Sequence, residues 1–123
     1  MTKIGVDKPG TLLTMTFSGR VTPEETARNE TKIISALTKI KPGFRLLTDL
    51  SALELMDPAC LPYLAKVMDL CSEKGISEVI RVIPDVHKDI GFNILSLFHY
   101  HHGVRFVTCS SLEEAAEIIS GTR

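Results

Sequence analysis

The stretch Leu46-Leu47-Thr48-Asp49-Leu50-Ser51, followed by Glu54-Leu55-Met56-Asp57-Pro58-Ala59-Cys60-Leu61, decides how the chain is read. Residues 44–50 form a nearly continuous apolar run, the pattern of a strand covered on both faces. Residues 57–74 then bring Leu61, Leu64, Ala65, Met68 and Cys71 onto one helical face. A buried strand thus delivers a polar loop, 51–56, to a helix start, where backbone N–H groups and an acidic side chain share one surface. Such a surface is a docking site or a switch. Asp57 suits the N-cap and equally a contact to a partner. Pro62, five residues on, removes one helical hydrogen bond, so the helix either begins near Cys60 or Leu61 or has a distorted first turn.

On the N-terminal side, residues 3–6 and 11–17 flank Asp7-Lys8-Pro9-Gly10 and read as a β-hairpin, followed by a turn at Ser18-Gly19-Arg20. Thr22, Pro23 and Glu25 give a capping box with proline at the first helical position, and Ala27, Ile34, Leu37 and Ile40 continue the period until Pro42-Gly43. On the C-terminal side Gly75 stops the central helix, and residues 79–83 form a strand closed by Pro84. A helix then begins within 85–89 and carries Ile90, Ile94, Leu97 and Phe98. Residues 104–107 form a fifth strand, and Ser111 with Glu114 caps a last helix bearing Leu112, Ala115, Ile118 and Ile119. The order β-β-α-β-α-β-α-β-α predicts an α/β fold: a mixed sheet of about five strands with about four helices, the later strands parallel and joined by right-handed crossovers.

The length of 123 residues fits one domain, 1–123, able to bury a core without staples. A net charge of −1 with charges mixed along the chain argues against nucleic acid and anionic membranes as partners. With no apolar run of bilayer length and no signal-like start, the expected location is cytoplasmic. Cys60, Cys71 and Cys109, odd in number and set in apolar-periodic segments, read as free thiols of an intracellular protein.

The Asp49-Leu50-Ser51 strand end and the following Asp57-Pro58-Ala59-Cys60-Leu61 resemble the signature of the STAS domains, the anti-sigma factor antagonists and their relatives. In that family the helix start reads Asp-Ser-Ser-Gly-Leu, and its second serine is phosphorylated by a partner kinase. Here Pro58 and Ala59 replace both serines and Cys60 replaces the glycine. The resemblance, which covers almost the full chain, implies a STAS-like fold and a non-enzymatic regulatory module. It also implies a protein partner of the anti-sigma factor or sensor-kinase type, and the replacements imply no phosphoryl switch at the usual serine. The binding surface comprises Ser18, Gly19, Arg20, Ser51, Leu53, Glu54, Leu55, Met56, Asp57, Pro58, Ala59 and Cys60. Leu53, Leu55 and Met56 are expected to be exposed contact residues, with Glu54 and Asp57 setting partner charge. The same surface could alternatively join two copies into a homodimer.

Other chemistry is thinner. Cys60 falls in the first turn, where the helix dipole lowers a thiol pKa, but no nearby Lys, Arg or His reinforces this and it reads as a packed small side chain. His99, His101 and His102 lack the spacing of a metal site and suit a helix end before Gly103, so no metal and no cofactor is expected. Asp85, His87, Lys88 and Asp89 cluster after Pro84 without an evident nucleophile. Arg81 lies in an apolar strand and needs solvent or an acid, with Asp49 the nearest by pattern. The chain also resembles, more loosely, lipid-binding Sec14-type domains; on that alternative an apolar-ligand pocket is expected around Phe92, Leu97 and Phe98.

Overall fold

The structure, a computed structural model, describes residues 1–83 and 104–121. The elements are β1 (Thr2–Val6), β2 (Leu12–Val21), α1 (Pro23–Leu37), β3 (Arg45–Met56), a 3-10 turn (Pro58–Cys60), α2 (Leu61–Lys74), β4 (Glu78–Val82), β5 (Arg105–Cys109) and α3 (Leu112–Ser120). The strands form one sheet in the order β1-β2-β3-β4-β5, with β1 antiparallel to β2 and every later pair parallel. This is the α/β mixed sheet expected from the sequence. Three α-helices lie within the described residues; the fourth, expected to begin within 85–89, falls outside them, as do the histidines and Phe92, Leu97 and Phe98.

The two caps read from sequence are made. Thr22 Oγ1 accepts from Glu25 N at 3.2 Å, and Ser111 Oγ accepts from Glu114 N at 3.1 Å. Glu25 does not reach back to complete its box; its carboxylate accepts instead from Thr2 Oγ1 at 2.6 Å and so ties the start of α1 to β1. In the β1–β2 turn the Asp7 carboxylate accepts from Thr11 N, Thr11 Oγ1 and Leu12 N at 2.8–3.0 Å. Gly10 completes this turn at φ +73°, and a Cβ there would stand 2.5 Å from the Lys39 carbonyl oxygen, so only glycine lets the turn close on the end of α1.

The sheet is covered on both faces. On one side α1 and α2 bring Ile33, Leu37, Leu64, Val67 and Met68 against Leu13, Met15, Phe17, Leu46 and Val79. On the other, α3 lays Ala115, Ile118 and Ile119 over Leu47, Ile80, Val82 and Cys109. Arg45 crosses to α3: its guanidinium donates to Glu78 Oε1 at 2.9 Å and to the Ile119 and Ile118 carbonyls at 3.0 and 3.1 Å. A cation is thereby held at the negative end of the α3 dipole.

Arg81 does not meet Asp49. In the parallel register Arg81 stands beside Thr48 and Thr108, so it faces the α1–α2 side, while Asp49, aligned with Val82, faces the other. There Arg81 donates to Thr108 Oγ1 at 3.3 Å and lies 5.6 Å from the Phe106 ring centroid, a cation–π contact.

Candidate functional site

The predicted loop at 51–56 and the predicted turn at Ser18-Gly19-Arg20 are both strand: β3 runs on to Met56 and β2 to Val21, side by side. What broke the alternation is a pair of bulges in β3. Its register against β2 slips between Thr16/Asp49 and Ser18/Ala52, and again between Gly19/Leu53 and Arg20/Leu55, with one extra β3 residue each time. Leu50, Leu53 and Met56 are spaced by three, yet all are buried in the same core, because each bulge absorbs one residue. Asp49 supports the first bulge. Its Oδ1 accepts from Ser51 N at 2.9 Å and Ser51 Oγ at 2.6 Å, which gives the Asp-Leu-Ser sequence a physical reason. Gly19, beside the second bulge, takes φ +63°, a conformation costly to other residues although no neighbour would meet its Cβ.

This arrangement corrects the expected exposure of the apolar residues. Leu53 and Met56 are each 1% exposed and belong to the core, whereas Leu55 is 55% exposed. Cys60 is also fully buried. The surface of the tip is therefore Arg20, Ala52, Glu54, Leu55, Asp57, Pro58 and Ala59, with Ser18, Gly19 and Ser51 half-buried at its margin.

The helix start resolves the question that Pro62 raised. Asp57 caps a 3-10 turn, its Oδ1 accepting from Ala59 N at 2.9 Å and its carbonyl from Cys60 N at 2.8 Å. Then α2 begins at Leu61, so Pro62 sits in the first turn, where its missing N–H costs nothing. The Val21 carbonyl at the end of β2 accepts from Asp57 N at 3.1 Å and from the Cys60 thiol at 3.6 Å, fastening turn to sheet. Burial raises the Cys60 pKa, and the nearby Asp57 and Glu24 carboxylates add to the rise. The helix start therefore does not activate this thiol; Cys60 is packing, as read from sequence.

Cys71, on the buried face of α2, is pushed up to about 12 by desolvation. The folded state holds this proton more tightly than the unfolded chain, whose thiol titrates near 9.0. The contribution to stability is whole below that pH and drains away as pH rises toward about 12, at about 1.4 kcal/mol per pH unit. Urea midpoints measured between about pH 8 and 10.5 are expected to fall more steeply for the wild type than for Cys71→Ala. Parallel curves for the two proteins would contradict this.

Among the described residues no group of His, Cys, Asp and Glu could hold a metal ion, and no helix is long and apolar enough to cross a membrane. The tip offers recognition chemistry: one exposed leucine, Arg20, and the carboxylates of Glu54 and Asp57 with Glu24 close by.

No family model matches the chain, and no curated protein matches it. Solved structures do. A DUF3478-family protein with a SpoIIAA-like fold from Shewanella loihica PV-4 superposes with a TM-score of 0.70 at 16% identity, over 96% of this chain and 91% of that one. The anti-sigma factor antagonist SpoIIAA in its unphosphorylated form gives 0.63 at 13% identity over 100% of both chains. An anti-sigma factor antagonist from Mycobacterium paratuberculosis gives 0.60 at 21% identity, over 98% of this chain and 93% of that one. The architecture of this chain is therefore the SpoIIAA-like fold, that of the STAS domains its sequence resembles.

Proposed function

We propose that the chain is a non-enzymatic regulatory module that docks a protein partner, an anti-sigma factor or sensor kinase, through the tip of β2, β3 and the 3-10 turn. The observation that carries this reading is Leu55, 55% exposed beside Arg20 and between Glu54 and Asp57, on a ribbon whose inner residues Leu53 and Met56 are locked in the core. An apolar contact on a rigid base, ringed by charge, is what a specific interface needs. The excess of carboxylates favours a partner with a basic patch. Docking is not switched at the helix start, because Pro58 and Ala59 present no hydroxyl.

The test is an affinity capture from the native lysate with wild type, Leu55→Arg and, as a control away from the tip, Thr38→Glu. Leu55→Arg is expected to reduce recovery of an anti-sigma factor or kinase about tenfold or more, with Thr38→Glu matching wild type. Equal recovery by all three would place binding elsewhere. Incubating the captured complex with ATP should leave residues 51–61 unmodified; phosphate on Ser51 would contradict the absence of a switch here.

A further inference from the structure

At one margin of the sheet, β1 is an edge strand: among the described residues it pairs only with β2. Met1 and Ser18 exchange both backbone hydrogen bonds, at 2.6 and 2.8 Å, and Asp7 N donates to Leu12 O at 3.2 Å. With the register Lys3↔Thr16 and Gly5↔Thr14 between them, alternation turns the backbone N–H and C=O groups of Thr2, Ile4 and Val6 outward. These groups form an open ladder. Beside it runs α1, in the same direction: Thr2 touches Glu25 near the helix start, and Gly10 closes on Lys39 just past its end.

Between edge and helix lies an open groove of about 650 Å³, with Ile4, Val6 and Ala36 on its floor and Lys8, Lys32 and Lys39 around it. It continues toward the helix start past Arg28. All four cations are exposed, and among the described residues none is ion-paired. The carboxylates along the groove are committed elsewhere: Asp7 to the turn, Glu25 to Thr2.

We propose that this edge binds an extended acidic segment of a partner protein, which adds to β1 as a sixth strand and places its carboxylates on the α1 cations. The spacings agree. Arg28 and Lys32 are four residues apart on the helix, about 6 Å, and alternate side chains of a strand are about 6.8 Å apart. Lys39, just past the end of α1, extends the row of cations, and its long side chain lets it reach a further acid along the strand. A second copy of this chain is the poorer occupant, since two-fold pairing of β1 with itself would set one basic α1 alongside another. Lysines near an edge can also serve merely to repel other strands, and the two roles predict opposite results. This surface is separate from the tip, so neither reading depends on the other.

The probe is a fluorescein-labelled peptide alternating glutamate and valine, titrated with the full chain by anisotropy at low salt. Saturable binding is expected, with none for the lysine–valine counterpart. N-methylating alternate residues of the acidic peptide should abolish binding in one phase and preserve it in the other, because only one set of N–H groups faces β1. Lys32→Glu/Lys39→Glu should weaken binding about tenfold or more while leaving the thermal midpoint within a few degrees; Leu55→Arg should leave it unchanged. The proposal is overturned if the acidic peptide does not saturate, if both N-methyl phases bind like the parent, or if anionic phosphatidylglycerol vesicles bind and the peptide does not.

Discussion

Leu53→Ala is expected to lower unfolding stability by about 3 kcal/mol, while Leu55→Ala, two residues away on the same strand, changes it by less than about 0.5 kcal/mol. The contrast follows from the bulges. Leu53 is 1% exposed and packs among Leu50, Met56 and Cys60, so truncation removes buried methyl groups and leaves a cavity that the rigid sheet closes only in part. Leu55 points to water and loses little. Urea denaturation of the two variants checks this, with the slope of the transition compared to exclude a change in the unfolded state. If both substitutions had the same small effect, residues 51–56 would be a loop after all and the geometry assigned to the tip would fall.

The second large effect is expected at the other end of β3. Arg45→Met leaves the Glu78 carboxylate, 9% exposed, without its main partner and uncaps the Ile118 and Ile119 carbonyls at the end of α3. Removing one member of such a pair strands a charge that folding has taken out of water. Arg45 is itself 30% exposed, and solvent screens part of the interaction, so the loss is about 2–3 kcal/mol. Arg105 approaches Glu78 at 3.6 Å but is 79% exposed and compensates little. The double variant Arg45→Met/Glu78→Leu should recover most of the loss, because the stranded charge is gone. A double variant as unstable as Arg45→Met would show that the helix-end contacts, and not the ion pair, hold α3.

Most of the architecture was legible because its signals are local. Thr22 and Ser111 with their glutamates mark two helix starts, Gly75 marks a stop, and apolar runs at 44–50 and 79–83 mark covered strands. The tip was misread for a definite reason. Past Leu50 the apolar run ends and alternation by twos is the strand signal that remains; the bulges replace it with Leu50, Leu53 and Met56 at intervals of three, which looks like a loop with exposed apolar residues. The partner of Arg81 was misjudged because adjacency in pattern says nothing about face: Asp49 is one register step from the residue beside Arg81, hence across the sheet. Asp57 and Pro62 were read well, since capping and proline effects depend on a few neighbouring backbone groups. The cationic groove was not foreseen, because it exists only once α1 is laid along β1.

The bulges also make strand length negotiable at the tip. Deleting Thr48 would invert every side chain from there to Met56, turning Leu50 and Leu53 away from the core they share with α1 and α2. Deleting Ser51 or Glu54 would straighten one bulge and leave Leu50, Leu53 and Met56 on the inner face, because the surplus residue is the one removed. The outline of the recognition surface can thus be shortened or reshaped by single-residue gaps at two places without rewriting the core beneath it.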